Sequence, residues 1–321
     1  MVTGAALRVV FFGTPQFAVP TLDALVSSHH SVVAVVTQPD RPRGRGQKLS
    51  DAPVKTRATE ARLPVLQPHT LKDAAFLSAL EDMRSDIGVV AAYGKILPDA
   101  VIAMPRLGMI NVHASLLPRH RGAAPIHRAV MAGDRETGIT IMRVVTALDA
   151  GPMMATSGRD ILDDETSEDV EHDLARIGAS LLVSTLDQIA AGAATETPQA
   201  EASATYAHRL TRDDGIVDWS RPAVEISNQI RGLHPWPHAF SFLKGERVIL
   251  RRARTLAPGP LTVVAAPGTI IRAQGDELLV ATGRGALALN EIQREGKRPT
   301  TTRESLAGHA VAEGDRFVAH P

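Results

Sequence analysis

The chain has 321 residues, of which 44 % are apolar and 22 % charged, and its 35 basic and 35 acidic side chains leave no net charge. That length predicts two domains, and the apolar fraction is enough to give each a buried core. The absence of cysteine excludes disulfides, thiolate nucleophiles and cysteine-based metal sites.

Residues 7–12 form a β-rich apolar run ending at Gly13, which reads as a buried strand opening a turn. The run is too short for a secretion signal or a membrane span, so a cytoplasmic location is expected. Residues 21–26 have helical spacing, and 32–37 read as a second buried strand. Residues 38–50 are dense in Pro, Gly, Arg and Lys and read as a loop. The alternation continues with a helix over 53–61, a strand over 64–66, a helix over 73–83 and a strand over 86–91. Further strands are expected over 109–113 and 137–145, then a long helix over 167–191. This order predicts an α/β domain, Rossmann-like, with a mostly parallel sheet, over residues 1–192.

Residues 193–207 are rich in Ala, Thr, Pro and Glu without apolar period, and read as a linker. Beyond it, a helix over 224–231 precedes strand-like runs at 240–243, 247–252, 268–272, 277–281 and 286–292. Their spacing suggests a small β-barrel or sandwich, the second domain being 208–321. Residues 1–207 hold 19 Lys and Arg against 23 Asp and Glu, and residues 208–321 hold 16 against 12. The basic second part permits an anionic partner and does not establish one. Arg247, Arg251, Arg252 and Arg254 lie near Trp219, Trp236 and Phe240, which suits a nucleic-acid surface and equally a packed core.

Gly13-Thr14-Pro15 lacks the further glycines of a dinucleotide turn, and no Walker loop occurs, so neither NAD nor ATP chemistry is expected. No His-Glu-x-x-His helix or other ligand spacing is present, so no metal is expected. The densest polar group is Asn111-Val112-His113, followed by Ser115-Leu116-Leu117-Pro118. Strand alternation puts Asn111 and His113 on one face. An amide and an imidazole together suit a developing oxyanion, while a satisfied histidine at a strand end is an equally good reading. Asp149, in Leu148-Asp149-Ala150-Gly151, would orient His113 if the two met, but is also an ordinary turn residue. Arg41, Arg43, Arg45 and Lys48 form a cationic arm suited to phosphates, or simply a solvated loop.

These motifs together carry a resemblance. Asn111-Val112-His113, Ser115-Leu116-Leu117-Pro118 and Arg121-Gly122 resemble the central block of the folate-dependent formyltransferases. Phe12-Gly13-Thr14-Pro15, Thr37-Gln38-Pro39-Asp40-Arg41-Pro42, Arg43-Gly44-Arg45-Gly46, Ala92-Tyr93-Gly94-Lys95-Ile96-Leu97-Pro98, Gly122-Ala123-Ala124-Pro125-Ile126, Thr137-Gly138-Ile139-Thr140-Ile141-Met142 and Pro235-Trp236-Pro237 narrow it. In that order they resemble the bacterial branch of the family that formylates the methionine of initiator tRNA, from about residue 7 to beyond residue 268. The resemblance implies that Asn111, His113 and Asp149 are the catalytic set and that Ser115, Leu116, Leu117 and Pro118 border the folate site. It implies that Arg41, Arg43, Arg45 and Lys48 meet the tRNA acceptor end, and that the second domain is OB-like and also faces tRNA. The implied donor is 10-formyltetrahydrofolate, the acceptor the α-amino group of methionyl-tRNA, and the protein a monomer without metal or NAD. A formyltransferase acting on a small amine, such as an amino sugar nucleotide, is the alternative. His120, Ala147 and His234 depart from the family pattern outside the catalytic set.

Overall fold

The computed structural model describes residues 5–43, 48–256, 265–308 and 310–321. The chain divides into two compact units, one from Met1–Pro125, Glu136–Arg159 and Glu171–Ala207, the other from Ile126–Arg135, Asp160–Val170 and His208–Pro321. Among the described residues, no helix is long and apolar enough to cross a membrane.

The first unit is built on strands β1 (Arg8–Gly13), β2 (Ser31–Val36), β3 (Arg41–Arg43), β4 (Lys48–Ser50), β5 (Val65–Leu66), β6 (Ile87–Ala91), β7 (Met109–His113), β8 (Arg121–Gly122), β9 (Glu136–Arg143), β10 (Met153–Asp160) and β11 (Tyr206–Ala207). Seven of them form one sheet in the order β10-β9-β7-β6-β1-β2-β5. The pairs β1–β2, β1–β6, β2–β5 and β6–β7 are parallel, and β7–β9 is antiparallel. The expected Rossmann-like α/β unit is therefore present. Val9, Val10, Phe11 and Phe12 of β1 are all fully buried, as expected for a parallel strand covered on both faces. Each such side chain contributes about 1.5–3 kcal/mol by leaving water. Helices Val19–Ser27, Pro53–Glu60 and Ala74–Asp82 fall where the apolar spacing predicts them.

Two local readings are corrected. Residues 38–50, read as a loop, contain the antiparallel hairpin β3–β4, with Arg41 opposite Ser50 and Arg43 opposite Lys48. Its ladder is made by backbone groups, so a run of polar residues, Pro and Gly conceals it. Arg41, Arg43 and Lys48 lie on these two strands, and Arg45 lies outside the described residues. The base of the arm is anchored: Asp40 accepts from Lys55 Nζ at 2.5 Å and from Gln67 Nε2 at 2.9 Å. The second correction is β10, read from the sequence as no element at all. It is an edge strand with alternating half-buried and exposed positions and little apolar content.

The helix Ser167–Ala190 has 24 residues. Gly178 lets it sit flush on the sheet, since a Cβ there would lie 2.8 Å from Val112 Cγ1.

In the second unit, β12 (Ala239–Leu243), β13 (Glu246–Thr255), β14 (Ile270–Gln274), β15 (Glu277–Ala281), β16 (Ala286–Arg294), β17 (Thr300–Thr301) and β18 (Phe317–Val318) form an antiparallel sheet. Its order is β14-β15-β16-β13-β12-β18, with β17 on β16. A bridge between Thr269 and Arg316 joins the start of β14 to the approach of β18, so the sheet curls until its edges meet. The expected barrel-like second domain is thus observed. Trp219 is core: it stacks on Phe317 at 5.4 Å, and its Nε1 donates to Ser241 Oγ at 2.9 Å. Trp236 is instead half exposed, and Arg247 caps the Phe240 ring at 3.9 Å.

Burial pushes His127 down to about 4, with Arg128 adding to the effect, and pushes His238 down to about 4, with Arg251 adding. Both rings are neutral in the folded chain at pH 7. Below the ordinary value near 6.5 the unfolded chain takes up protons that the folded one refuses. Stability is therefore fully present above pH 6.5 and falls as the pH drops towards 4. For His127 the full effect is on the order of 3 kcal/mol. In His127→Gln, urea melts at pH 7 and pH 4.5 should differ less than in the parent. An unchanged difference would remove His127 as a source of acid sensitivity.

Candidate active site

β7 ends in Asn111, Val112 and His113. Val112 points into the core at 3 % exposure, while Asn111 is half-buried and His113 is 5 % exposed on the other face. The chain then turns, with a cis bond between Leu117 and Pro118. Thr140 of β9 pins this turn: its Oγ1 donates to Ser115 O at 2.7 Å and accepts from Leu117 N at 3.1 Å. Ser115 Oγ donates to Arg119 O at 2.6 Å. Ser115 and Leu117 are buried, and Leu116 points towards Gly138 and Gly158.

His120 has φ 58°, a conformation that costs a non-glycine residue about 1–3 kcal/mol. It brings the His120 carbonyl 3.0 Å from His113 Nε2. A carbonyl only accepts, so Nε2 carries a hydrogen and donates it. Nδ1 is left as the working nitrogen of the ring.

Asp149 is also strained, at φ 47°. Its Oδ2 accepts from Gly122 N at 2.8 Å and lies 3.7 Å from His113 Nδ1. That separation is too long for a hydrogen bond and short enough for the carboxylate to be the countercharge of a protonated Nδ1. The structure thus brings together three residues that the sequence shows only as two separate motifs. The set offers an amide donor, an imidazole with one committed nitrogen, and a carboxylate able to take a proton. Such a set suits addition to a carbonyl followed by transfer of a proton, without a covalent nucleophile.

Two family models match the chain, formyl transferase over residues 7–186 and the formyl transferase C-terminal domain over residues 209–310. The chain belongs to the formyltransferase family. A methionyl-tRNA formyltransferase of Stutzerimonas stutzeri is 48 % identical, over 91 % of this chain and 92 % of its own. That of Pseudomonas fluorescens strain SBW25 is 50 % identical, over 90 % of each. Among solved structures, an N-formyltransferase from Helicobacter canadensis in complex with folinic acid and dTDP-3-aminofucose aligns with a TM-score of 0.68. It is 16 % identical, covering 90 % of this chain and 99 % of that one, which is a likeness of fold.

In this formyltransferase the site has a further layer that sequence reasoning missed. Gln199 Nε2 donates to the carbonyls of Asp149 and Gly151, each at 2.8 Å. Arg121, 1 % exposed, donates to Gln199 Oε1 at 3.0 Å and to both carboxylate oxygens of Glu201. The only sequence signal was the pair Arg121-Gly122 closing the run Arg119-His120-Arg121, which does not tell the buried arginine from its neighbour.

Among the described residues, one group has the composition of a metal site: His29, His30 and Asp187. Its chemistry does not favour a metal. His30 Nδ1 accepts from Leu7 N at 3.2 Å, so the proton of the neutral ring sits on Nε2, the atom 3.2 Å from Asp187 Oδ1. A protonated nitrogen has no lone pair to give an ion. Burial, then His29, lowers the pKa of His30.

Proposed function

We propose that this formyltransferase moves the formyl group of 10-formyltetrahydrofolate to the α-amino group of methionine esterified to initiator tRNA. One observation carries the choice of acceptor. Relatives named methionyl-tRNA formyltransferase are 48 % and 50 % identical over nine-tenths of both chains. The sugar-bound structure is similar at 16 % identity, a level that speaks for the fold and not for the acceptor.

The geometry of the site supports the following chemistry. An α-amino group has an ordinary pKa near ~8, and an adjacent ester lowers it, so neutral amine is available at pH 7. Its nitrogen attacks the formyl carbon and a tetrahedral oxyanion forms. Asn111 donates to that oxygen, and so does His113 through Nδ1 when the ring is protonated on both nitrogens, with Asp149 as the countercharge. The bond from the formyl carbon to N10 then breaks, and Asp149 takes the amine proton and passes it to N10. The products are the formylated amine and tetrahydrofolate; no oxidation state changes. The turn of Ser115, Leu116, Leu117 and Pro118 borders the folate. Ile96, Val145 and Leu148, exposed on the loops that follow β6 and β9, supply apolar surface for its rings. One chain carries the whole set, so a monomer suffices, and its substrates belong to the cytoplasm.

Arg41, Arg43, Arg45 and Lys48 receive the acceptor end of the tRNA, and the domain over 208–321 faces its body. Arg45→Ala should weaken charged-tRNA binding and lower the slope of log affinity against log salt by about 1, with tetrahydrofolate binding unchanged. An unaltered slope would remove the arm from the RNA contact. The direct test offers 10-formyltetrahydrofolate with methionyl initiator tRNA, free methionine, or an amino sugar nucleotide. Formylation of the charged tRNA alone supports the reading, and transfer only to a small amine overturns the acceptor.

A further inference from the structure

Residues 187–208 lie between the two family-model matches, and their composition is that of a linker. The structure uses this segment as a strap across the two loops that hold the candidate site. Met153 and Thr197 form an antiparallel bridge, and β11 pairs in parallel with β8. Between these clamps the strap makes two sets of hydrogen bonds.

The first set acts on Asp149. Arg121 Nε donates to Gln199 Oε1, which fixes the orientation of the amide: its oxygen faces Arg121, and its nitrogen faces the carbonyls of Asp149 and Gly151. Both hydrogens of Nε2 are then used. Arg121 is itself fixed, because its remaining nitrogens grip Glu201 at 3.0 Å and 2.9 Å. That pair holds the Glu201 carboxyl below its ordinary range. The second set acts on His113 through His120. Thr205 Oγ1 accepts from His120 N at 2.9 Å, and Thr205 O accepts from Arg121 N at 2.8 Å. The loops so braced are those in which Asp149 and His120 adopt left-handed φ values of 47° and 58°. Such a conformation persists only where surrounding bonds enforce it.

We propose that Gln199, oriented by Arg121, is a positioning residue for formyl transfer, and that the segment joining the two domains doubles as the brace of the active site. Gln199 touches no reacting atom. It acts by keeping the Asp149 carboxylate beside His113. This inference rests on the role given to Asp149 above. An amide is the only uncharged side chain that can accept from Arg121 and donate to two carbonyls at once. A carboxylate of the same length would repel both carbonyls, and an isosteric methionine would leave them unmet.

The test compares Gln199→Met with the parent, and repeats the substitution on an Asp149→Asn background. Turnover is measured in single-turnover formylation of methionyl-tRNA and divided by the tetrahydrofolate sites titrated in the same preparation, so that misfolded protein is not counted. Gln199→Met should lose about 10–100-fold in rate with KM for both substrates nearly unchanged. On the Asp149→Asn background it should cost less than about 3-fold, because residues acting through one another are not additive. Gln199→Asn, which keeps an amide but cannot span the gap, should resemble Gln199→Met and serves as the second variant if that one folds poorly. An equal loss on both backgrounds would mean a general structural role and overturns the proposal. So would a normal rate for Gln199→Met while Asp149→Asn is impaired. A normal rate for Asp149→Asn itself would strike at the catalytic reading, a different failure visible in the same experiment.

Discussion

His113→Ala should slow single-turnover formyl transfer by about 10²–10³-fold and leave tetrahydrofolate affinity within about 2-fold. The magnitude is that of removing one donor from a preorganised oxyanion site. The ring is held on three sides: by β7 beneath it, by the His120 carbonyl 3.0 Å from Nε2, and by Asp149 3.7 Å from Nδ1. None of these partners is among the residues proposed to border the folate, which is why binding should survive. Asn111→Ala should show the same pattern, since the proposed mechanism aims its amide at the same oxygen and it shares with His113 one face of β7. The decisive comparison is rate against affinity. A variant that loses both in proportion has lost its binding site, and a variant that keeps its rate removes that residue from the mechanism.

Gly151→Ala should cost at least about 10²-fold in the same assay, although the change adds a single methyl group. A Cβ at residue 151 would lie 1.9 Å from Arg143 O and 2.9 Å from Arg143 C. These are backbone atoms of β9 and cannot swing aside as a side-chain tip can. The loop must move instead, and it carries Asp149 two residues earlier. A displacement of about 1 Å at a proton-transfer group is enough to cost 10²-fold. Stability should fall as well, by about 1–3 kcal/mol, as for other overpacked sites. In a protein of this size, each 1 kcal/mol shifts the melting temperature by roughly 2–4 °C. Parent-like turnover with a normal melting temperature would show that the loop tolerates displacement, and would weaken the place given to Asp149.

Much of both units is legible in the sequence. Met109–His113 and Glu277–Ala281 fall where the pattern puts them, and the helix Ser167–Ala190 differs from expectation by one residue. These elements are buried on one or both sides, so hydrophobic spacing reports them directly. Met153–Asp160 was not legible, because an edge strand with no fully buried position carries little apolar signal. The hairpin within residues 38–50 was hidden for a related reason, its pairing being made by backbone alone. Trp219 and Trp236 looked alike in the sequence. Only the fold put the first against Phe317 and left the second exposed.

The site divides in the same way. The sequence by itself determined which groups are available: an amide and an imidazole two residues apart on a strand, a carboxylate before a glycine, a cationic arm, and no thiol. Strand alternation and turn chemistry are settled within a few residues, and so they are written locally. The tertiary structure decided which of those groups meet. It set Asp149 beside His113, turned the His120 carbonyl onto the ring, and recruited Gln199, 50 residues beyond the loop it holds. Contacts at that separation depend on how strands order themselves and how loops close over them, which no short stretch of sequence encodes.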